Sequence, residues 1–346
     1  LHASARHNRL AKATSPMIRQ TLIRYAVQLS AMLVLGTTGI SFAEDQPQWG
    51  ERFSRNLVSN ERNLPDSFDP ETGENIKWSV PLGNRAYSTP IISNGKVLVG
   101  VNNSEPRDPR QVGDRGALLC LDEQDGRLHW QLVVPKLRGD KGFLDQPTYG
   151  ICSPATVEND RVYIVTNRAE VVCLDLNGQA DGNDGPYQDE GRHMVDQGQE
   201  PLDVLKTDSD ILWLFDMPSQ TGIHPHDAAH SSVLVHGRYL YVNTGNGVDS
   251  SHVKIQSPDA PSLIVLDKET GRLVAQDNER IGPRIFHCTW SSPSLGIVNG
   301  QPLIFFCGGD GICYAFEALP QDIGNDTSVR HLKRVWRFDC DPTAPK

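Results

Sequence analysis

From residue 88 onward the chain is a series of short runs in which apolar and polar residues alternate, each run stopping at a turn signal. A period of two over four to eight residues predicts β-strands with one side buried. No stretch after residue 43 sustains the i, i+3, i+4, i+7 apolar spacing of a helix. The runs also recur in a fixed order: a Ser/Pro start, an apolar strand, a turn, a second apolar strand, a polar loop, then a strand ending in an acidic turn. The first copy runs through Ser88-Thr89-Pro90, KVLVGVNN (96–103) and ALLCLDEQDGRLHW (117–130). The second has Ser153-Pro154, RVYIVTNR (161–168), EVVCLDLNG (170–178) and ILWLFD (211–216). The third has Ser231-Ser232, RYLYVNTGNG (238–247) and SLIVLDKETGRLVAQD (262–277). The fourth has Ser292-Pro293, PLIFFCGGDG (302–311), ICYAFE (312–317) and RVWRFD (334–339).

Four copies spaced by 61 to 78 residues predict an all-β repeat architecture, a propeller or β-solenoid, with one four-stranded antiparallel blade per copy. The Leu-Asp-x-x-Thr/Asp-Gly step at 121–126 and 266–271 reads as a tight turn in which Gly takes a positive φ. Trp130, Trp213 and Trp336 open the outer strands and read as packing between blades. Segment 46–82, ending near Trp78, reads as a further outer strand.

The A/C-L-D-x-x-T/D-G-x-x-x-W pattern resembles the pyrroloquinoline-quinone (PQQ) repeat. Longer stretches at 48–65, 150–178, 260–277 and 287–311 resemble the secreted PQQ-like propellers of planctomycete-type bacteria. The resemblance covers nearly all of 46–346. It implies a quinoprotein alcohol dehydrogenase-like β-propeller, with seven or eight blades in the intact protein, of which this chain carries about four and an N-terminal closing segment. It also implies two kinds of relative: PQQ- and Ca²⁺-dependent dehydrogenases, and non-catalytic propellers of outer-membrane assembly.

The N-terminal part predicts export. Met17, the basic Arg19 and Arg24, the apolar run 25–40 and Ser41-Phe42-Ala43 have the layout of a signal peptide cleaved after Ala43. Residues 1–16 then read as an over-extended start and 44–346 as the propeller, periplasmic or secreted, with no membrane span in the mature chain. Loss of 1–43 would take the net charge from −10 to −15, because that stretch holds five basic residues and no acidic one. So acidic a chain has no electrostatic footprint for nucleic acid. Its seven Cys show no C-x-x-C spacing, and Cys120, Cys173 and Cys313 fall at one repeat position, as small buried fillers would.

In a blade, the loop entering the innermost strand and the loop after the second strand open on one face. Sorted this way, the candidate ligand-binding residues are Asn102, Asn103, Arg168, His224, His226, Asp227, His230, Asn246, Asp249, His287, Trp290 and Asp310. Loops 102–116 and 243–261 are long, and long loops on a rigid scaffold are where binding concentrates. The His residues 224, 226 and 230, with 252 and 287, are ligand types for Zn or Cu, but no H-E-x-x-H spacing accompanies them, so no metal is assigned. Segment 175–185 departs from the calcium loop it first suggests, with Pro186 or Ala180 where Gly belongs, and reads as a solvated loop on the opposite face within the acidic insert 177–210.

A quinoprotein dehydrogenase also needs a calcium set and a carboxylate base. Asp227, Asp249 and Asp310 could serve as a base by position, but no motif supports any of them, and adjacent Cys residues are lacking. No Ser-His-Asp elbow, Gly-rich phosphate loop or Cys-nucleophile motif is present either. The sequence therefore favours an exported binding or scaffold propeller for an envelope protein or an extracellular glycan, with no catalytic residue and no cofactor assigned. A periplasmic alcohol or sugar dehydrogenase using PQQ and Ca²⁺ is the alternative.

Overall fold

The computed structural model describes residues 44–322 and 327–343. The expected signal peptide, 17–43, lies outside them. From residue 45 on, the chain builds four antiparallel sheets in sequence order. Blade one holds β1 (Ile91–Ser93), β2 (Lys96–Asn102), β3 (Arg115–Asp122) and β4 (Leu128–Pro135). Blade two holds β5 (Thr156–Glu158), β6 (Arg161–Val165), β7 (Glu170–Asp175) and β8 (Ile211–Asp216), with the short helices α1 (Glu190–His193) and α2 (Met217–Thr221) in and after it. Blade three holds β9 (Leu234–His236), β10 (Tyr239–Asn243), β11 (Leu263–Asp267) and β12 (Leu273–Gln276). Blade four holds β13 (Ser294–Val298), β14 (Gln301–Cys307), β15 (Ile312–Glu317) and β17 (Arg334–Asp339), while the two-residue β16 (Arg330–His331) joins blade three. These four blades begin and end within a few residues of the repeat copies.

Local chemistry explains the turns. Asn94-Gly95 and Asn299-Gly300, all at positive φ, close the first hairpins of blades one and four, as two-residue turns with a matching twist require. Both faces of each inner blade are covered, so strands such as β3 and β7 are buried along almost their whole length. Leu98, Leu118, Trp130 and Leu132 of blade one meet Val162, Ile164, Val172 and Leu174 of blade two. Blades two and three share Tyr163, Trp213, Leu240 and Ile264, and blades three and four share Tyr241, Val265, Ile304 and Phe316.

The repeat motif is a clasp between neighbouring blades. Trp130 donates its indole N–H to the Leu176 carbonyl at 2.9 Å, and Trp213 donates to Lys268 at 3.0 Å. Trp78 makes the same bond to Glu123 at 2.9 Å although it lies in no strand. Segment 46–82 thus supplies the clasp of an outer strand without its ladder. The turn glycine lies beneath each indole: a Cβ on Gly126, Gly178 or Gly271 would come within 2.8, 2.7 or 2.5 Å of Trp78, Trp130 or Trp213. Trp336 differs. It is half-exposed beside Phe305 of its own blade, on a face where Val298 and Phe338 are also exposed.

Two departures from a plain four-stranded blade share one cause. The connection before the outer strand of blade four supplies β16, which pairs in parallel with β12 and makes blade three five-stranded. The equivalent connection in blade two, insert 177–210, pairs Asp208 in parallel with Gln131 of β4. The insert therefore does not stay on the opposite face. It climbs beside blade one until Arg115, at the start of β3, donates to the Met194 carbonyl at 3.0 Å.

The N-terminal segment ties the four blades together through their innermost strands. Gln46 bridges Ile92, Val157 N donates to the Pro47 carbonyl at 2.7 Å, and Leu295 N donates to the Phe53 carbonyl at 3.2 Å. Arg55 donates to the Trp49 carbonyl at 3.0 Å, the Ser232 hydroxyl and carbonyl at 2.8 Å each, and the Pro293 carbonyl at 2.8 Å. Burial lowers its pKa to about 10, so the guanidinium stays charged at neutral pH.

Candidate functional site

Four connections meet on the face chosen from the sequence: the loops entering blades two, three and four, and the β10–β11 loop. Backbone bridges Pro225–Asn246 and Gly247–Cys288 zip three of them side by side. The fourth joins through Asp227, whose N–H donates to the Phe143 carbonyl at 2.6 Å and whose carbonyl accepts from Gln146 N at 2.5 Å. These bonds hold Asp227 at φ 61, a left-handed conformation that a non-glycine residue keeps only under constraint. Asp140 adds a further strut, accepting from Ser250 N at 2.8 Å and lying 3.2 Å from His224 Nε2.

Three imidazoles converge inside this bracing. The ring nitrogens of His226, His252 and His287 lie within 4.8 Å of one another, and no other group of acidic, His or Cys side chains among the described residues is so arranged. His226 is fully buried, and its Nδ1 is 2.7 Å from the Val248 carbonyl. A carbonyl only accepts, so Nδ1 carries the proton and Nε2 presents its lone pair. That Nε2 is buried with no hydrogen-bond partner, and the nearest carboxylate oxygen, on Asp227, is 3.8 Å away. Burial holds the His226 pKa below its ordinary value, and the neighbouring His287 and His252 act in the same direction. Phe143 stacks on His226 with ring centres 5.7 Å apart and meets His252 edge-on at 5.0 Å. On the far side, Trp290 packs 5.3 Å from His287 and donates its indole N–H to the Ala228 carbonyl at 3.1 Å.

Of the sequence candidates, His226, Asp227, His287 and Trp290 form this cluster. His230 packs beside Trp290 with ring centres 5.9 Å apart, and burial lowers its pKa. The others serve the loops themselves. Asn102 and Asn103 are buried, donating to the Thr148 and Gln111 carbonyls. Asn246 is buried too, accepting from His224 N and donating to the Ser257 carbonyl at 2.9 Å. Asp249 accepts from Ser251 and Gln256, which takes its pKa down to about 2. Asp310 accepts from Tyr314 at 2.7 Å and is paired with Arg284 at 2.9 Å. Arg168 pairs with Glu170 at 3.0 Å, next to a Glu170–His193 contact of 3.0 Å, and stands outside the cluster. His252, one of the metal-type ligands in the sequence but not among the binding-face candidates, belongs to the site. The β10–β11 loop turns back through a Val248–Ile255 bridge and carries it over His287, and no local motif announces such a fold-back.

The same side chains test the quinone-and-calcium chemistry of the dehydrogenases. Ca²⁺ needs six to eight converging oxygens. Asp140, Asp249 and Asp310 each spend theirs on separate loop contacts, and what converges is nitrogen. Segment 175–185 offers no calcium cage either, since Asp175 accepts from Asn177 N at 2.6 Å and Asp181 from the Asn177 amide at 3.3 Å. Neither place offers a calcium cage among the described residues.

Residues 55–179 match the family model described as outer membrane protein assembly factor BamB, an independent counterpart to the repeat resemblance over that stretch. No curated protein matches the chain. Among solved structures, it is similar to quinohemoprotein alcohol dehydrogenase ADHIIG from Pseudomonas putida HK5, with 12% identity, 76% of this chain and 35% of that one covered, and a TM-score of 0.42. It is likewise similar to the quinohemoprotein alcohol dehydrogenase from Comamonas testosteroni, with 14% identity, coverage of 69% and 42%, and a TM-score of 0.40. The chain spans 35% and 42% of the lengths of those two enzymes. No helix of the described residues is long and apolar enough to cross a membrane.

Proposed function

We propose that this propeller is an exported binding protein that docks a protein of the cell envelope on the loop face around His226, His252 and His287. The observation that carries this reading is the apolar rim of that face. Phe286 and Val253 are each 84% exposed and Trp290 39% exposed, and each flanks or touches one of the clustered imidazoles. Large exposed apolar side chains on a rigid, internally braced surface are the usual anchors of a protein interface. The family description over 55–179, an outer membrane assembly factor, supports a protein partner over a glycan and an envelope location. A dehydrogenase would require a carboxylate base beside a quinone site; of the three Asp candidates, Asp249 and Asp310 are bound within their own loops, and Asp227 stands 3.8 Å from His226 Nε2 among converging nitrogens.

A photo-crosslinking amino acid at Phe286 or Val253 of the full-length protein, expressed in its own cells, tests the proposal. The expected result is a discrete adduct with one envelope protein that is absent when the probe sits at Asp125, an exposed residue on the opposite face. The adduct should also be lost in Trp290→Ala at unchanged melting temperature. Equal adducts from both faces, or none from the loop face, would sink the reading.

A further inference from the structure

We propose that His226, His252 and His287 form a binding site for a divalent first-row transition metal of the Zn²⁺ type, held by three neutral imidazole nitrogens. This inference stands independently of the docking reading. The ligand set suits such an ion, since imidazole selects Zn²⁺ and its neighbours over Ca²⁺ and Mg²⁺. The stronger sign is the state of His226. A metal-ligating imidazole characteristically gives its other N–H to a backbone carbonyl, which fixes the tautomer and aims the lone pair. His226 does this through Val248, and the nitrogen so aimed is a buried acceptor with nothing to accept from. An orphaned buried nitrogen has lost its water without compensation unless a partner arrives. Two further imidazoles stand where that partner's other ligands would be.

The geometry is close to a bound one. Zn–N bonds of 2.0–2.1 Å in a tetrahedron place ligand nitrogens about 3.4 Å apart. The observed spread of up to 4.8 Å closes by side-chain rotation of His252, which is exposed and on a loop. His252 sits at φ 58 directly after the Asp249–Ser251 turn, so the loop already presents it toward the other two. Three protein ligands leave a fourth position on the solvent side, where Asp227, water or a partner's side chain could complete the shell. Phe143 and Trp290 wall the other sides.

The test is a competition titration of chelator-treated, full-length protein with Zn²⁺ against a chromogenic chelator, repeated with Co²⁺ for its visible spectrum. A single equivalent should bind with micromolar or tighter affinity. His252→Ala and His287→Ala should each weaken binding by at least about tenfold, the lower end of what lost support costs a metal site. His224→Ala and His230→Ala, in the same loops, should change it less than about twofold, since neither contributes a ligand. Co²⁺ should give the ligand-field bands of a low-coordinate nitrogen site, and these should disappear in His252→Ala. Because His252 is exposed, that variant should match the wild type in metal-free melting temperature, and His287→Ala gives a second reading should it not. Binding only at millimolar metal, or affinity unchanged in both His252→Ala and His287→Ala, would overturn the proposal. Equal losses in the His224 and His230 variants would place the metal elsewhere and overturn it as well.

Discussion

Gly271→Ala separates the two reasons a glycine stands in the acidic turn. Its φ of +69 disfavours any Cβ, and the added methyl would meet Trp213 Cε3 at 2.5 Å and Cδ2 at 2.8 Å. The indole cannot lift away, because its Nε1 is bonded to the Lys268 carbonyl at 3.0 Å in the same turn. Gly95→Ala is the control: φ is +71 and no atom lies within 4 Å of its Cβ position. The backbone term is common to both and costs about 1–2 kcal/mol. Overpacking against the pinned ring adds about 1–3 kcal/mol to Gly271→Ala alone. Large domains lose about 2 °C of melting temperature per kcal/mol, so Gly95→Ala should lower Tm by about 2–4 °C and Gly271→Ala by about 4–10 °C. Urea unfolding gives the same ranking as free energies. In a Trp213→Leu background the ring is gone, and Gly271→Ala should cost no more than Gly95→Ala does in the wild type. Equal costs of the two substitutions in the wild type, or an unchanged Gly271→Ala cost without the indole, would refute the clasp.

Three other perturbations probe the framework. Arg55→Ala removes the three hydrogen bonds that join the N-terminal segment to Ser232 and Pro293 and a fourth to Trp49, and should cost about 3–5 kcal/mol in urea unfolding, since each acceptor left unsatisfied costs about 1–3 kcal/mol. Asp310→Ala strips Arg284 and Tyr314 of a shared acceptor; a fall in stability of about 2–4 kcal/mol is expected, with Asp310→Asn recovering part of it. Burial raises the pKa of Asp210 from its ordinary 3.8 to about 6, and the carboxylates of Glu190, Asp175 and Asp184 push the same way. The folded state then holds a proton that the unfolded chain has lost, so stability should fall as pH rises from about 4 to 6. Asp210→Asn should melt higher than the wild type at pH 7 and equal to it below pH 4; a constant offset across that range would exclude Asp210 as the titrating group.

The fold could be read from the sequence because a propeller writes its geometry in repeated, local terms. Alternation marks the strands, Asn-Gly and Asp-x-x-x-Gly mark the turns, and Trp78, Trp130 and Trp213 each have a turn one copy further on. What escaped was non-local. Nothing in residues 46–56 says that they cross the first strands of four blades, because the contacts of Arg55 reach to Ser232 and Pro293, far along the chain. Insert 177–210 leaves its blade on the opposite face, but loop topology does not say where it goes next, and Gln131 captures it midway. Asn102, Asn103 and Asn246 are candidate ligand contacts on loop position alone. Their short amides instead satisfy buried carbonyls, which loops of this length must do somehow.

These failures and the histidine site have one source. The residues that repeat, Trp and the turn Gly, act between blades and recur wherever blades meet. His226, His252 and His287 occur once each, in three different loops, and have no counterparts in the other copies. Their convergence depends on the two backbone bridges that align these loops, Pro225–Asn246 and Gly247–Cys288. Gly247 is central to that alignment, since a Cβ there would come within 2.8 Å of the His287 carbonyl and 2.9 Å of the His226 Cβ. A side chain at 247 would therefore spread the imidazoles apart while leaving every blade intact. The scaffold and the site are thus separable in this chain: clasp residues govern whether it folds, and Gly247, in a single loop, governs whether the three imidazoles can meet.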